Sequence, residues 1–257
     1  EVFEEYHYQT DRIQFQDSED NASITLNSYQ KTALEDIENL FETQNIVLLH
    51  GVTSSGKTEI YVKKIESILA EGKQALYLVP EIALTSQLVQ RLQKYFGNQI
   101  AVYHSRYSQN ERVEVWNHVL NQSENARVVI GARSSVFLPF SNLGLIIVDE
   151  EHEQSYKQFD PSPRYHARDT AIVLAALFKA KTLLGSATPS IESFHNATKI
   201  KKYGYVALNK RFNNVLMPEI EVVDLTDKYK RKRMTGHFSD RLITEIKEAL
   251  ETDSQVI

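Results

Sequence analysis

The 257-residue sequence predicts an α/β fold with a mainly parallel central sheet flanked by helices. Three observations carry this expectation: short apolar runs of strand length, amphipathic helical patterns between them, and a glycine-containing turn where the first run meets the next helix. In chain order, residues 1–22 lack sustained periodicity and are rich in acidic and amide side chains, so they read as a linker or an arm from a preceding domain. A first helix is expected from Ser28 to about Phe41, capped by Ser28, because Ala33, Leu34, Ile37 and Phe41 recur at helical spacing. The strand-like runs are Ile46 to Leu49, Ala75 to Val79, Ile100 to Tyr103, Arg127 to Ile130, Leu145 to Val148 and Thr182 to Leu184. Helical patterns fall between them at about 57–71, 83–96, 108–121 and 166–179. Strands alternating with helices of this length imply right-handed βαβ crossovers. The main domain is placed at 23–223, with 224–257 as a basic linker and a helix leading toward a further, truncated lobe.

Bulk composition narrows the function classes. With 42% hydrophobic and 25% charged residues the chain has an ordinary globular balance and can bury one good core. It has no cysteine, which excludes disulfides and thiolate metal sites within these residues. The first residues lack the cationic and apolar regions of an export signal, and no apolar run approaches a membrane span, so a soluble, cytoplasmic protein without a membrane partner is expected. A net charge of −5 argues against a polybasic nucleic-acid binder, so any nucleic-acid contact must be local. The densest basic run, Lys228, Lys230, Arg231, Lys232 and Arg233, reads as a solvated flexible loop after an apolar strand-like stretch.

Chemistry concentrates in three segments. In LLHGVTSSGKTEIY, the loop Gly51, Val52, Thr53, Ser54, Ser55, Gly56, Lys57, Thr58 fits G-x-x-x-x-G-K-[ST] between an apolar strand and a helix. Small residues let successive amides turn inward on a phosphate, and the helix beginning near Lys57 adds its dipole. Lys57 is expected on the β and γ phosphates of ATP, and the Thr58 hydroxyl on Mg²⁺. In LGLIIVDEEHEQ, a strand delivers Asp149, Glu150, Glu151 and His152 at its carboxyl end, where ligands of such sheets bind. Asp149 is assigned to Mg²⁺ and Glu150 to the attacking water, with Glu151 as the alternative base. In LLGSATPS, Ser186 and Thr188 are placed beside the acidic cluster as sensors of phosphate state; the alternative is a plain turn with Ser190 capping the next helix. The segment EQSYKQFDPSPRYHARD interleaves Tyr156, Phe159 and Tyr165 with Lys157, Arg164 and Arg168, joining stacking surfaces to phosphate-seeking cations; the alternative is that one or two of the rings pack under the loop, and Tyr165 suits either reading equally. Two competing readings remain, a P-loop phosphotransferase and a nucleotide-dependent interaction module without turnover.

The combination of GKT, DEEH and GSAT resembles superfamily 2 helicases. LHGVTSSGKTEIY, LYLVPEIALTSQL, VVIGARSSVFLPF and LIIVDEEHEQSYKQFDPSPRYHARDTA resemble the PriA (primosomal protein N′) family over roughly residues 27–195. The resemblance implies a RecA-like P-loop NTPase lobe, the first motor lobe of a bacterial DNA helicase that unwinds 3′ to 5′ and acts in replication restart. It implies single-stranded and branched DNA, primosome and helicase-loading proteins and single-stranded DNA-binding protein as partners. It places an arginine finger and a zinc site in a second lobe outside these residues, and a DNA-binding domain before residue 1. By the same likeness Gln30 reads adenine, His152 couples nucleotide to DNA, and Arg133 faces single-stranded DNA. Two positions depart from the family pattern: Ser54 stands where glycine is common, and Ala132 where threonine is frequent.

Overall fold

The computed structural model describes residues 24–104, 107–211 and 220–256. These fall into two compact units, one running to residue 211 and the other from residue 220 onward. Residues 1–22, expected as a linker, lie outside the described residues.

In the first unit the order is α1 (Ser28–Thr43), β1 (Ile46–Gly51), α2 (Lys57–Ala70), β2 (Gln74–Leu78), α3 (Ser86–Phe96), β3 (Ile100–Tyr103), α4 (Gln109–Leu120), β4 (Val128–Gly131), β5 (Leu143–Asp149), α5 (Ala167–Phe178), β6 (Lys181–Ser186), α6 (Ile191–Thr198) and β7 (Gly204–Leu208). The strands form one sheet in the order β3-β4-β2-β5-β6-β1-β7, and every pairing is parallel. Both faces of the sheet are covered, which is why its strands read as continuous apolar runs rather than alternating ones. One core layer joins Ala33 and Ile37 of α1, Ile60 and Ile65 of α2, and Leu92 of α3 to inward residues such as Leu49 and Ile147. The opposite layer joins Val115 of α4, Ala171 of α5 and Ala197 of α6 to Leu48, Leu76 and Val148. Among the described residues no helix is long and apolar enough to cross a membrane.

Three expectations need correction. Asn27, not Ser28, caps α1: its side-chain oxygen accepts the Gln30 amide at 2.9 Å while Gln30 Oε1 accepts the Asn27 amide at 2.9 Å. This reciprocal capping box needs the amide three residues on, so the cap sits one residue earlier than the apolar periodicity suggested. The sheet has a seventh strand, β7, beyond the six apolar runs: GYVAL alternates buried and exposed, the pattern of an edge strand rather than of the buried runs. In the second unit the basic run is not a free loop. Lys228 and Lys230 lie in α7 (Leu225–Lys230), followed by the two-stranded β8 (Met234–Thr235) and β9 (Phe238–Ser239) and by α8 (Asp240–Glu251). Lys228 pairs with Asp240 at 2.6 Å and Arg231 with Asp227 at 3.0 Å, so local carboxylates neutralise part of the run. Among the described residues before it, 220–224 form no strand, and Ile220 and Val222 are exposed.

Candidate active site

The sheet topology brings the three chemical segments to one edge. β6 lies between β1 and β5, with His50 in register with Ser186 and Asp149 with Gly185, so the loops after all three strands leave the sheet side by side.

The phosphate-loop residues stand between Gly51, the last residue of β1, and Lys57, the first of α2. Gly56 precedes the helix at φ 83°, and an added Cβ there would come within 2.1 Å of Gln30 Nε2, so both backbone and space demand glycine. Ser54 also occupies the left-handed region, at φ 60°, which costs a residue with a Cβ about 1 kcal/mol relative to glycine. Gln30 is buried, and its Nε2 donates to the Gly56 carbonyl at 3.2 Å, so the residue assigned to adenine is also tied to the loop. Lys57 Nζ donates to the Gly51 carbonyl at 2.9 Å and lies 3.8 Å from Glu150 Oε1. A cleft of about 430 Å³ opens here, lined by Thr53 through Glu59 with Arg91, Asp149 and Glu150.

These residues fit a nucleotide and its magnesium ion. Ser55 Oγ is buried without a hydrogen-bond partner, and the first amides of α2 are orphaned by helix geometry, so the loop holds donors in search of an acceptor. Among the described residues no cluster of three or more His, Cys, Asp or Glu is placed to hold a metal by itself. Magnesium takes one or two protein oxygens and completes its shell with phosphate and water.

Asp149 ends β5 with its carboxylate enclosed. Tyr61 OH donates to Oδ1 at 3.0 Å, Tyr77 OH to Oδ2 at 3.1 Å, and Tyr156 OH to the Asp149 carbonyl at 2.7 Å. Burial, followed by the neighbouring Glu150, raises the Asp149 carboxyl above the ordinary carboxylate range, while Lys57 and the two phenols pull against them. Burial and then Asp149 hold the Tyr61 and Tyr77 phenols protonated well beyond their ordinary range. Glu150, at φ 45°, turns its side chain into the cleft and is partly exposed, as an acceptor of a water proton must be. Glu151 points the other way and is fully buried. Its Oε1 accepts the Ser190 amide at 2.7 Å, and its Oε2 accepts Ser193 Oγ at 2.8 Å and Arg168 Nη1 at 2.8 Å. With both oxygens occupied, Glu151 is removed as the alternative base.

His152 joins the acidic segment to the loop after β6. Its Nδ1 lies 2.8 Å from Ser186 Oγ and its Nε2 3.3 Å from Thr188 Oγ1, and the Thr188 amide donates to Ser186 Oγ at 2.9 Å. The three residues expected to couple nucleotide to DNA are therefore in direct contact. His50, which the sequence did not single out, bonds Tyr205 OH at 2.9 Å and the Ala187 carbonyl at 3.2 Å, supporting the same loop from β1.

Comparison with known proteins agrees with this geometry. Residues 27–197 match the DEAD/DEAH box helicase family. The chain belongs to that family. It is 43% identical over 236 residues to replication restart protein PriA of Bacillus subtilis (strain 168), covering 91% of this chain and 29% of that protein. It is 46% identical over 235 residues to PriA of Haemophilus influenzae, covering 91% of this chain and 31% of that protein. The chain thus spans about three-tenths of the length of these two relatives. Among solved structures, RecG bound to a three-way DNA junction superposes with a TM-score of 0.53 at 22% identity, covering 83% of this chain and 28% of that one. At that identity the likeness speaks for the fold alone, a RecA-like α/β fold.

The aromatic-rich segment of this DEAD/DEAH box helicase chain differs from the expected picture at two residues. Tyr156, placed on the DNA side by its sequence surroundings, is buried in the core layer under β5 and spends its hydroxyl on Asp149. Arg168, read as a phosphate-seeking cation, is the half-buried partner of the buried Glu151, at 2.8 Å. Interleaved aromatics and cations are produced equally by a stacking loop and by a loop pinned to a core, and one sequence does not separate the two. Arg133 donates to the carbonyls of Lys157 at 2.9 Å and Ser155 at 3.4 Å, so part of its guanidinium holds the segment in place. Lys157 Nζ donates to the Arg164 carbonyl at 3.0 Å, and Tyr165 packs edge-on against Phe137 at 4.7 Å. Phe159, 67% exposed, and Arg164 remain on the surface. At the second departure from the family pattern, Ala132 is buried and its amide donates to the Tyr103 carbonyl at 3.2 Å.

Proposed function

We propose that this chain is the ATP-binding motor lobe of a PriA-type replication-restart helicase, in which ATP hydrolysis drives 3′ to 5′ translocation and unwinding of DNA. The lobe is assigned to residues 23–223, with 224–257 leading toward a second lobe that supplies the arginine finger and the zinc site. The observation that carries the reading is the meeting of Glu150 with the phosphate loop, its carboxylate 3.8 Å from the Lys57 ammonium. A base held there stands where the terminal phosphate of a nucleotide gripped by Lys57 would be attacked.

In this mechanism the loop from Gly51 to Thr58 grips the phosphates through its amides, and Lys57 exchanges the Gly51 carbonyl for phosphate oxygens. Gln30 holds the loop and reads the base. Asp149 and the Thr58 hydroxyl would hold a magnesium ion, which when bound would offset the charge that develops on the phosphate oxygens. Glu150 orients the attacking water and takes its proton. His152 then transmits the state of the phosphate site through Ser186 and Thr188. Phe159, Arg164, Lys157, Tyr165 and Arg133 form the DNA-facing segment, in which Phe159 supplies the stacking face and the others position it. Single-stranded and branched DNA, primosome and helicase-loading proteins, and single-stranded DNA-binding protein are the partners, in the bacterial cytoplasm.

The test is ATP turnover by the protein carrying both lobes, with and without single-stranded DNA. DNA is expected to accelerate turnover. Phe159→Ala is expected to leave the basal rate unchanged and to remove most of the stimulation, because a stacked base is worth roughly 1–3 kcal/mol. ADP formation that depends on a small-molecule acceptor would instead indicate a phosphotransferase, and nucleotide binding without turnover an interaction module.

A further inference from the structure

We infer that Tyr61 and Tyr77 are positioning residues that set the grip of Asp149 on the metal ion, and that Gly185 lacks a side chain to make room for one of them. The inference rests on the reading of Asp149 as the magnesium-holding carboxylate. An aspartate at a strand end has two free side-chain torsions, and a metal-binding carboxylate is commonly fixed by hydrogen bonds from residues that do not touch the metal. Here each carboxylate oxygen has its own phenol, Tyr61 at 3.0 Å and Tyr77 at 3.1 Å, and the Glu150 amide adds a third bond to Oδ1 at 3.1 Å. Oδ2, which accepts only the Tyr77 bond, keeps lone-pair capacity for the ion or its water.

The origins of the two phenols give the arrangement its meaning. Tyr61 lies one helical turn beyond Lys57 on α2, so the rigid helix that carries the phosphate-loop lysine also carries a bond to the metal-holding carboxylate. Tyr77 comes from β2, the neighbour of β5, and its ring meets that of Tyr61 edge-on at 5.6 Å. Both rings are fully buried, which fixes their hydroxyls. A Cβ on Gly185 would stand 1.7 Å from the Tyr61 hydroxyl, so any other residue at this position would displace it. The glycine of the GSAT segment thus serves the metal side of the site. Two buried tyrosines satisfied by the nearest acceptor would be an ordinary core feature. A separate phenol on each oxygen of one functional carboxylate, with a glycine clearing the way, goes beyond that.

The test is calorimetric titration of ADP into this chain, in EDTA and then in Mg²⁺, for the wild type, Tyr61→Phe, Tyr77→Phe, Gly185→Ala and Asp149→Asn. Affinity in EDTA reports the phosphate loop alone. The gain on adding Mg²⁺ reports the metal site. Each phenylalanine variant, and Gly185→Ala, is expected to keep its affinity in EDTA and to lose about tenfold of the Mg²⁺-dependent gain. A full gain in both phenylalanine variants, with the gain abolished in Asp149→Asn, overturns the positioning role and leaves the metal assignment intact. A full gain in Asp149→Asn overturns the metal assignment itself. Equal losses with and without Mg²⁺ would make the phenols general supports of the fold, which also overturns the inference.

Discussion

Glu150→Gln, in the protein carrying both lobes, is expected to bind ATP within about twofold of the wild type and to lose roughly 10²–10⁴ in turnover, the contribution of a placed general base. The amide keeps the shape of the side chain and loses the basic oxygen. Glu150 holds no buried structural bond: its side chain is 36% exposed, and its contacts to Lys57 and His152 are long, at 3.8 and 3.7 Å. Binding and chemistry should therefore separate cleanly in single-turnover measurements. Wild-type hydrolysis by the variant would remove Glu150 from the mechanism, and Glu151 has no free oxygen with which to replace it.

The adjacent residue should behave in the opposite way. Glu151→Ala is expected to cost the fold about 3–5 kcal/mol, because it leaves the half-buried Arg168 with only the exposed Asp169 carboxylate and removes the buried acceptor of Ser190 and Ser193. For a unit of this size that corresponds to a drop of roughly 6–20 °C in melting temperature. Glu150→Ala should move it by no more than about 2 °C, as for an exposed side chain. A differential melt of the two alanine variants decides the matter. Similar, small shifts in both would show that the Glu151 network contributes little.

The contrast between these two glutamates shows what the sequence made legible. The parallel strands could be read because burial on both faces leaves a continuous apolar run, and the phosphate loop because its chemistry lies in eight consecutive residues, Gly51 to Thr58. His152, Ser186 and Thr188 come into contact because two adjacent strands, β5 and β6, end level with each other. Partners distant along the chain were not legible. Arg168 meets Glu151 across 17 positions, the Ser190 amide meets it across 39, and Tyr61 and Tyr77 meet Asp149 across 88 and 72. Nothing local marks these side chains as belonging to the site. Tyr156 failed for a related reason: its flanking cations suggested a stacking loop, whereas the core beneath β5 claims the ring. The cap of α1 was misplaced by one residue because apolar spacing locates a helix face more sharply than its first turn.

The most direct measurement of the central claim, that this chain grips a nucleotide through the loop after β1, is calorimetric titration of Mg-ADP into the wild type and Lys57→Ala. Saturable one-to-one binding is expected in the wild type. The variant should lose a charge-assisted phosphate contact worth about 1.5–3 kcal/mol, or roughly 10- to 150-fold in affinity, with an unchanged melting temperature in the absence of nucleotide. Equal affinity in the two proteins would contradict the assignment of the phosphate loop and, with it, the motor function built upon it.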